Sequence, residues 1–229
     1  MDDKKGIRSG PRWYCFRYQK LRMPIAWLGG ALLFATSHTS ESGFRIGVPV
    51  SMAGMLLRSW ASGYIEKKSV KLATDGPFAH VRNPLYIGNF LIGLGLVVIV
   101  QNLCTAAIFL IGFGVLYYRT IRKEEKHLAD YIGEPYRCYC LAVPRLLPRI
   151  TPYPGRERTS FRWRLLLKHR ELETLFGLLL VIVGLYLQEE IFREGEFGAK
   201  EKAAMGFGVA LIAGLLFERV LRTYGNDKG

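Results

Sequence analysis

The sequence predicts an all-α, polytopic membrane helical bundle of about six transmembrane helices with both termini cytoplasmic. Apolar segments at 24–40, 44–62, 84–101, 103–118, 172–187 and 203–220 are each long enough, or nearly so, to cross a hydrocarbon core of about 30 Å. Charge placement agrees independently, because cytoplasmic loops collect Lys and Arg. Of the 32 basic residues, seven lie in 1–23, four in 63–83, thirteen in 119–170 and three in 219–229, all on one side of a six-span chain. Arg45, Arg193, Lys200 and Lys202 fall on the other side, where Glu189, Glu190, Glu194, Glu196 and Glu201 keep the last loop acidic. The net charge of +13 therefore reads as topology and attraction to anionic lipid. Nucleic-acid binding would need a soluble basic module, and the pattern holds none.

Taken in order, residues 1–23 interleave Trp13, Tyr14, Phe16 and Tyr18 with arginines and lysines, the composition of a segment lying on the cytoplasmic leaflet or of a basic tail. The run at 24–40 has a long basic preface and no small-residue cleavage pattern, so it is expected to be a retained span. A short turn at 40–43 makes the first two spans antiparallel, and Arg58, near the end of the second, is expected to snorkel to the interface. After the connection 66–82, Asn83 suits an N-cap and Pro84 the first helical position, so a helix is expected from there. Gln101 and Asn102 turn it into a hairpin with the next span. Residues 128–136 read as a helix end and 143–148 as an extended, proline-limited segment, with no regular helix until after Gly155. Basic residues around Trp163 then lead into the fifth span, and Gly206, Ala210 and Gly214 give the last a small-residue packing face. The whole is one integral membrane domain, 1–229, with a core at about 44–150 between an N-terminal part, 1–43, and a basic loop with two further spans, 151–229.

The polar knot Gly76-Pro77-Phe78-Ala79-His80-Val81-Arg82-Asn83-Pro84-Leu85-Tyr86-Ile87-Gly88, placed just before an apolar run, reads as a cofactor site. A helix N-terminus beside an arginine is an anion-binding arrangement, Tyr86 adds an aromatic face, and Gly88 permits close approach. The alternative is a helix-entrance loop whose basic residues meet lipid headgroups. Hairpin register, at about 1.5 Å rise per residue, brings Pro84 level with roughly Thr120 and so places Glu124 and Glu125 one turn beyond the membrane edge, beside His80 and Arg82. An acidic pair among basic residues is otherwise a solvated ion-pair face. Cys15, Cys104, Cys138 and Cys140 form no disulfide framework, and Cys138-x-Cys140 has no further ligand at metal spacing, so no metal is expected.

Gly76-Pro77-Phe78, His80-x-Arg82-Asn83-Pro84-x-Tyr86-x-Gly88, Glu124-Glu125, Leu128, Gly133, Tyr136 and Val143-x-Arg145-x-x-Pro148 together resemble the integral-membrane isoprenylcysteine carboxyl methyltransferases and phospholipid methyltransferases. The resemblance covers roughly 70–150. It implies an S-adenosyl-L-methionine-dependent methyltransferase with its active site facing the cytoplasm. His80, Val81, Arg82, Asn83, Pro84, Tyr86, Gly88 and Glu125 would line the cofactor site, while Arg145, Glu124 and Tyr136 would stand toward the chemistry. The expected acceptor is lipidic or prenylated, entering from the bilayer: an isoprenylcysteine-type carboxylate, or alternatively the amine of phosphatidylethanolamine. Phe78 replaces the family's usual tyrosine, and 138–142 lacks its basic run, which leaves the acceptor open. Two rival readings are an NADPH-dependent membrane sterol reductase, suggested by a similar Arg-x-x-x-Tyr-x-Gly pattern, and a non-enzymatic scaffold whose basic loops hold membrane lipids.

Overall fold

The computed structural model describes residues 39–65, 72–194, 204–210 and 212, and among these every regular element is helical. Helix α1, Glu41–Ser62, starts at Ser40, whose hydroxyl accepts the Gly43 N–H at 3.1 Å and satisfies one of the otherwise unpaired first-turn donors. A single 3₁₀ turn, Gly76–Ala79, precedes α2, Pro84–Val100. Gln101 then takes a left-handed conformation (φ 50°), and the Asn102 side chain caps α3, Leu103–Ile132, by accepting the Thr105 N–H at 3.0 Å. The expected hairpin is present. Its second arm runs 30 residues, about 45 Å, beyond the apolar span 103–118 and on to Ile132, inside the stretch 128–136 where a helix end is expected. No glycine or proline interrupts 119–132, so the helix stops only at Gly133, whose φ of 74° few other residues adopt.

Beyond Gly133 the sequence reading missed a short helix, α4, Glu134–Ala142, which Pro135 helps to start. The proline-limited stretch 143–162 is non-helical, as expected. Helix α5, Trp163–Lys168, and α6, Glu171–Glu194, are separated where Arg170 turns to φ 63°. Two of these helices, α3 and α6, are long and apolar enough to cross a membrane, and the 17-residue α2 is apolar but shorter. The expected span at 24–40 lies almost wholly outside the described residues, as do the interfacial segment 1–23, the tail 219–229 and most of the last acidic loop. The span at 203–220 is described, as helix, only at 204–210 and 212.

Tight packing centres on α1 and α2. A Cβ added at Gly95 would lie 2.2 Å from Ser51 Oγ, one at Gly47 2.4 Å from the Gly95 carbonyl, and one at Gly54 2.6 Å from the Gly88 carbonyl. The backbones approach because both faces are small, and Ser51 Oγ uses the proximity to donate to the Ile92 carbonyl at 3.1 Å. Among the described residues a Cβ at Gly206 would meet nothing within 4 Å, and Gly214 of the expected small-residue face lies outside them. At one end of the bundle Ile99, Val100 and Leu185 are fully buried against Phe44 and Val48.

Arg58 does not snorkel. Its Nε donates to Glu171 Oε2 at 2.7 Å and its Nη1 to Asn89 Oδ1, while the Ser62 hydroxyl donates to Glu171 Oε1 at 2.7 Å. The Glu171 carboxylate is buried, so this network ties the start of α6 to α1 and α2. A partner 113 positions away overrides the local preference for solvent.

Candidate active site

The polar knot is folded onto the proline-limited segment by a ladder of main-chain bonds. Arg82 N–H donates to the Pro144 carbonyl (2.9 Å), Arg149 N–H to the His80 carbonyl (3.0 Å) and Tyr153 N–H to the Ala79 carbonyl (2.9 Å). Side chains reinforce it: Asn83 Nδ2 donates to the Arg145 carbonyl (3.2 Å), and the Tyr139 hydroxyl donates to the Phe78 carbonyl (2.7 Å). His80 Nδ1 faces the Arg149 carbonyl at 2.9 Å, and since a carbonyl only accepts, that nitrogen carries the proton. Beneath lies a second apolar cluster of Tyr136, Tyr139 and Val143, backed by Leu72, Leu128 and Ile132.

Hairpin register delivers the other wall. Tyr86 meets Tyr117 edge to face at 5.0 Å between ring centroids, and Phe90 packs on Phe113 at 5.2 Å. Continuing about two turns past Tyr117 brings Glu125 to the knot. Its Oε1 forms an ion pair with Arg82 Nη1 at 3.1 Å and accepts a hydrogen bond from Arg145 Nε at 3.0 Å, and its Oε2 accepts from Arg145 Nη2 at 2.5 Å. One carboxylate thus joins the knot, α3 and the proline-limited segment, with a bidentate arginine as its strongest partner. Hydrogen bonding to Glu125 strengthens the hold of the Arg145 guanidinium on its proton. Burial, with Cys140 and Glu125 nearby, pushes the Tyr136 hydroxyl well above the ordinary tyrosine value, and burial does the same to Tyr139. Both keep their protons at neutral pH.

The triad edges an open cavity of about 1030 Å³. Four of the residues singled out in the sequence line it: Arg82, Glu125, Tyr136 and Arg145. The others lie elsewhere. His80 and Asn83 hold the ladder, Val81 and Pro84 are buried, and Tyr86 packs on Tyr117. Asn83 precedes α2 as expected but makes no side-chain cap bond, because the Arg145 carbonyl takes its amide. Gly88 is approached closely by α1, since a Cβ there would lie 2.8 Å from the Gly54 carbonyl. Glu124 is exposed and outside the cavity lining; a helix turns 100° per residue, so only one of two adjacent acids can face the knot.

Several lining residues went unrecognised in the sequence. Arg119, Arg122, Lys123 and Lys126 extend along α3, and Arg137, Cys140 and Leu141 belong to the unforeseen α4. Their signal was available in the three- and four-residue spacing around Glu125, once α3 is known to continue. Seven cationic side chains line the cavity against two carboxylates, Glu125 and Glu134, so it suits an anionic ligand. Arg82 Nε, buried and without a hydrogen-bond partner among the described residues, is a donor available to one. No metal-binding group occurs among the described residues.

Comparison with known proteins adds a family to this geometry. Residues 49–130 match the isoprenylcysteine carboxyl methyltransferase (ICMT) family. The chain is similar to the cobalt-zinc-cadmium resistance protein CzcN of Cupriavidus metallidurans, 33% identical over 48% of this chain and 50% of that protein. It is also similar to the nickel-cobalt-cadmium resistance protein NccN of Alcaligenes xylosoxydans xylosoxydans, 31% identical over 55% of this chain and 54% of that protein. A protein-S-isoprenylcysteine O-methyltransferase of Schizosaccharomyces pombe is 28% identical over 63% of this chain and 62% of that enzyme. The matches span about half to three-fifths of the length of these relatives. No solved structure matches the chain. The matched segment runs from Pro49 in α1 to Asp130 near the end of α3 and contains Arg82 and Glu125, so two members of the triad lie in the part of the chain that is similar to the isoprenylcysteine carboxyl methyltransferase family.

Proposed function

We propose that this protein is an S-adenosyl-L-methionine-dependent methyltransferase, held in the membrane by about six spans with its site toward the cytoplasm. Its acceptor is a lipidic carboxylate of the isoprenylcysteine type. The observation that carries this reading is the Arg82–Glu125–Arg145 triad at the wall of a cation-lined cavity, inside or adjoining the family-matched segment. The arginines present fit the carboxylate end of the cofactor. A cavity of about 1030 Å³ holds a ligand of that size with room for an acceptor, since small-molecule sites commonly measure about 300–1,000 Å³. The unpartnered Nε of Arg82 suits its carboxylate.

Bound there, the cofactor would supply a methyl group activated by a sulfonium. The protein's part is alignment and exclusion of water. Glu125, by engaging both arginines, fixes the direction of Arg82 Nε and keeps Arg145 at the cavity wall. Tyr136, holding its proton, can donate a hydrogen bond but cannot accept a proton at neutral pH. A carboxylate acceptor needs no base, whereas an amine must first lose a proton. His80 does not line the cavity, both Glu125 oxygens are engaged by arginines, and Glu124 stands outside the cavity. These placements favour the carboxylate over phosphatidylethanolamine.

The test is incubation of the purified protein with methyl-labelled cofactor and, separately, N-acetyl-S-farnesylcysteine and phosphatidylethanolamine. Base-labile label on the first acceptor is expected. Transfer only to the amine would reverse the acceptor assignment. Calorimetric binding of NADPH with none of S-adenosyl-L-methionine would favour the reductase, and binding of neither the scaffold.

A further inference from the structure

The mouth of the cavity carries more positive charge than the triad needs. Arg119, Arg122, Lys123 and Lys126 are three or four residues apart, so they share one face of α3, and like charges at these spacings repel. Arg137 of α4 lines the same cavity and adds to them. The two carboxylates that line the cavity offer little relief: Glu125 is engaged by Arg82 and Arg145, and Glu134 lies 3.9 Å from Arg137. Among the described residues Arg119, Arg122 and Lys126 form no ion pair.

The same stripe continues down α3 as apolar surface. At 100° per residue Ile108, Ile111 and Val115 fall in line with Arg119, Arg122 and Lys126, and the three apolar side chains are 59%, 68% and 52% exposed. Among the described residues a Cβ added at the adjoining Gly112 would meet nothing within 4 Å, so none of them covers the stripe there. Where apolar gives way to cationic, Tyr118 lies under the Arg122 guanidinium, 5.6 Å from ring centroid to carbon, an aromatic position suited to a headgroup boundary. From Val115 to Arg122 the rise is about 10 Å. Leu141, 91% exposed, places a further apolar side chain on the cavity rim beside these cations.

We propose that this stripe and rim dock an anionic phospholipid, its phosphate among Arg119, Arg122, Lys126 and Arg137 and its acyl chains along Ile108, Ile111 and Val115. Charge complementarity selects an anion, and the contiguous exposed apolar stripe selects a lipid over a free phosphate. The lipid would neutralise the mouth of the cavity and fill its membrane side. This assignment stands independently of methyl transfer.

The experiment measures thermal unfolding of the full-length protein in neutral detergent micelles containing phosphatidylglycerol or phosphatidylcholine, or with inorganic phosphate added. Phosphatidylglycerol should raise the midpoint, and phosphatidylcholine and phosphate should not. The triple variant Arg119→Gln/Arg122→Gln/Lys126→Gln should lose that response. Arg158→Gln/Arg164→Gln/Lys168→Gln, which removes three exposed cations elsewhere, should keep it. Should the first triple variant fail to fold, Arg122→Gln alone, read by lipid retention in native mass spectrometry, should bind phosphatidylglycerol at least threefold more weakly. Equal stabilisation by inorganic phosphate, an unchanged response in the α3 variants, or equal loss in both triple variants would overturn the proposal. Cofactor binding by calorimetry in the same samples reports on the methyltransferase reading separately.

Discussion

Replacing Glu125 by glutamine keeps the shape of the side chain and removes the charge that holds Arg82 and Arg145 together. The Glu125 side chain is 11% exposed, Arg82 14% and Arg145 34%. Removing one partner of a fully buried pair costs about 3–5 kcal/mol, because the other charge is left desolvated and uncompensated. Two arginines lose their partner here, but solvent reaching Arg145 screens part of the loss, so the expected cost is about 2–4 kcal/mol. Denaturant unfolding in detergent, followed by circular dichroism, measures it. A double-mutant cycle with Arg145→Gln should return a coupling energy of about 1–3 kcal/mol, whereas independent sites add to within about 0.5 kcal/mol. A Glu125→Gln protein as stable as the wild type, or strict additivity in the cycle, would refute the view that this carboxylate joins the knot to the proline-limited segment.

Glu171→Gln should cost about 3–5 kcal/mol, since it strands Arg58 among α1, α2 and α6, and Arg58→Met/Glu171→Leu should recover most of the loss in the same unfolding assay. Gly95→Val puts carbon atoms within 2.2–2.6 Å of Ser51 and Gly47 and should cost about 1–3 kcal/mol or more, read as a lowered unfolding midpoint, while Gly112→Ala, with open space around it, should not destabilise. Stability should fall as pH rises past about 10, because the unfolded chain ionises Tyr136 and Tyr139 there while the folded chain holds their protons; each contributes up to about 1.4 kcal/mol per pH unit. Midpoints measured between pH 9 and 11 should fall less steeply for Tyr136→Phe.

The helical class, the hairpin at Gln101-Asn102 and the meeting of Arg82 with Glu125 were legible in the sequence, because each depends on near-neighbour physics. Apolar runs report helices that bury or cross something apolar, an asparagine reports a cap, and helix rise converts residue number into height along a hairpin. The start of α2 at Pro84 was readable for the same reason. The end of α3 was legible as well, within 128–136, since nothing before Gly133 breaks the helix even though its apolar content stops at about 118.

What the tertiary structure decided is partner choice across long separations. Whether Arg58 reaches solvent or Glu171, whether His80 and Asn83 face a ligand or the backbone of 145–149, and which of Glu124 and Glu125 looks inward depend on where distant segments lie. The packing of α1 on α2 was hidden similarly, since small residues at Gly47, Ser51 and Gly54 matter only once Gly88 and Gly95 face them. Hydrophobic pattern and charge bias are properties of a segment and survive without its neighbours. A hydrogen bond or an ion pair belongs to two segments at once, and only the fold brings them within reach.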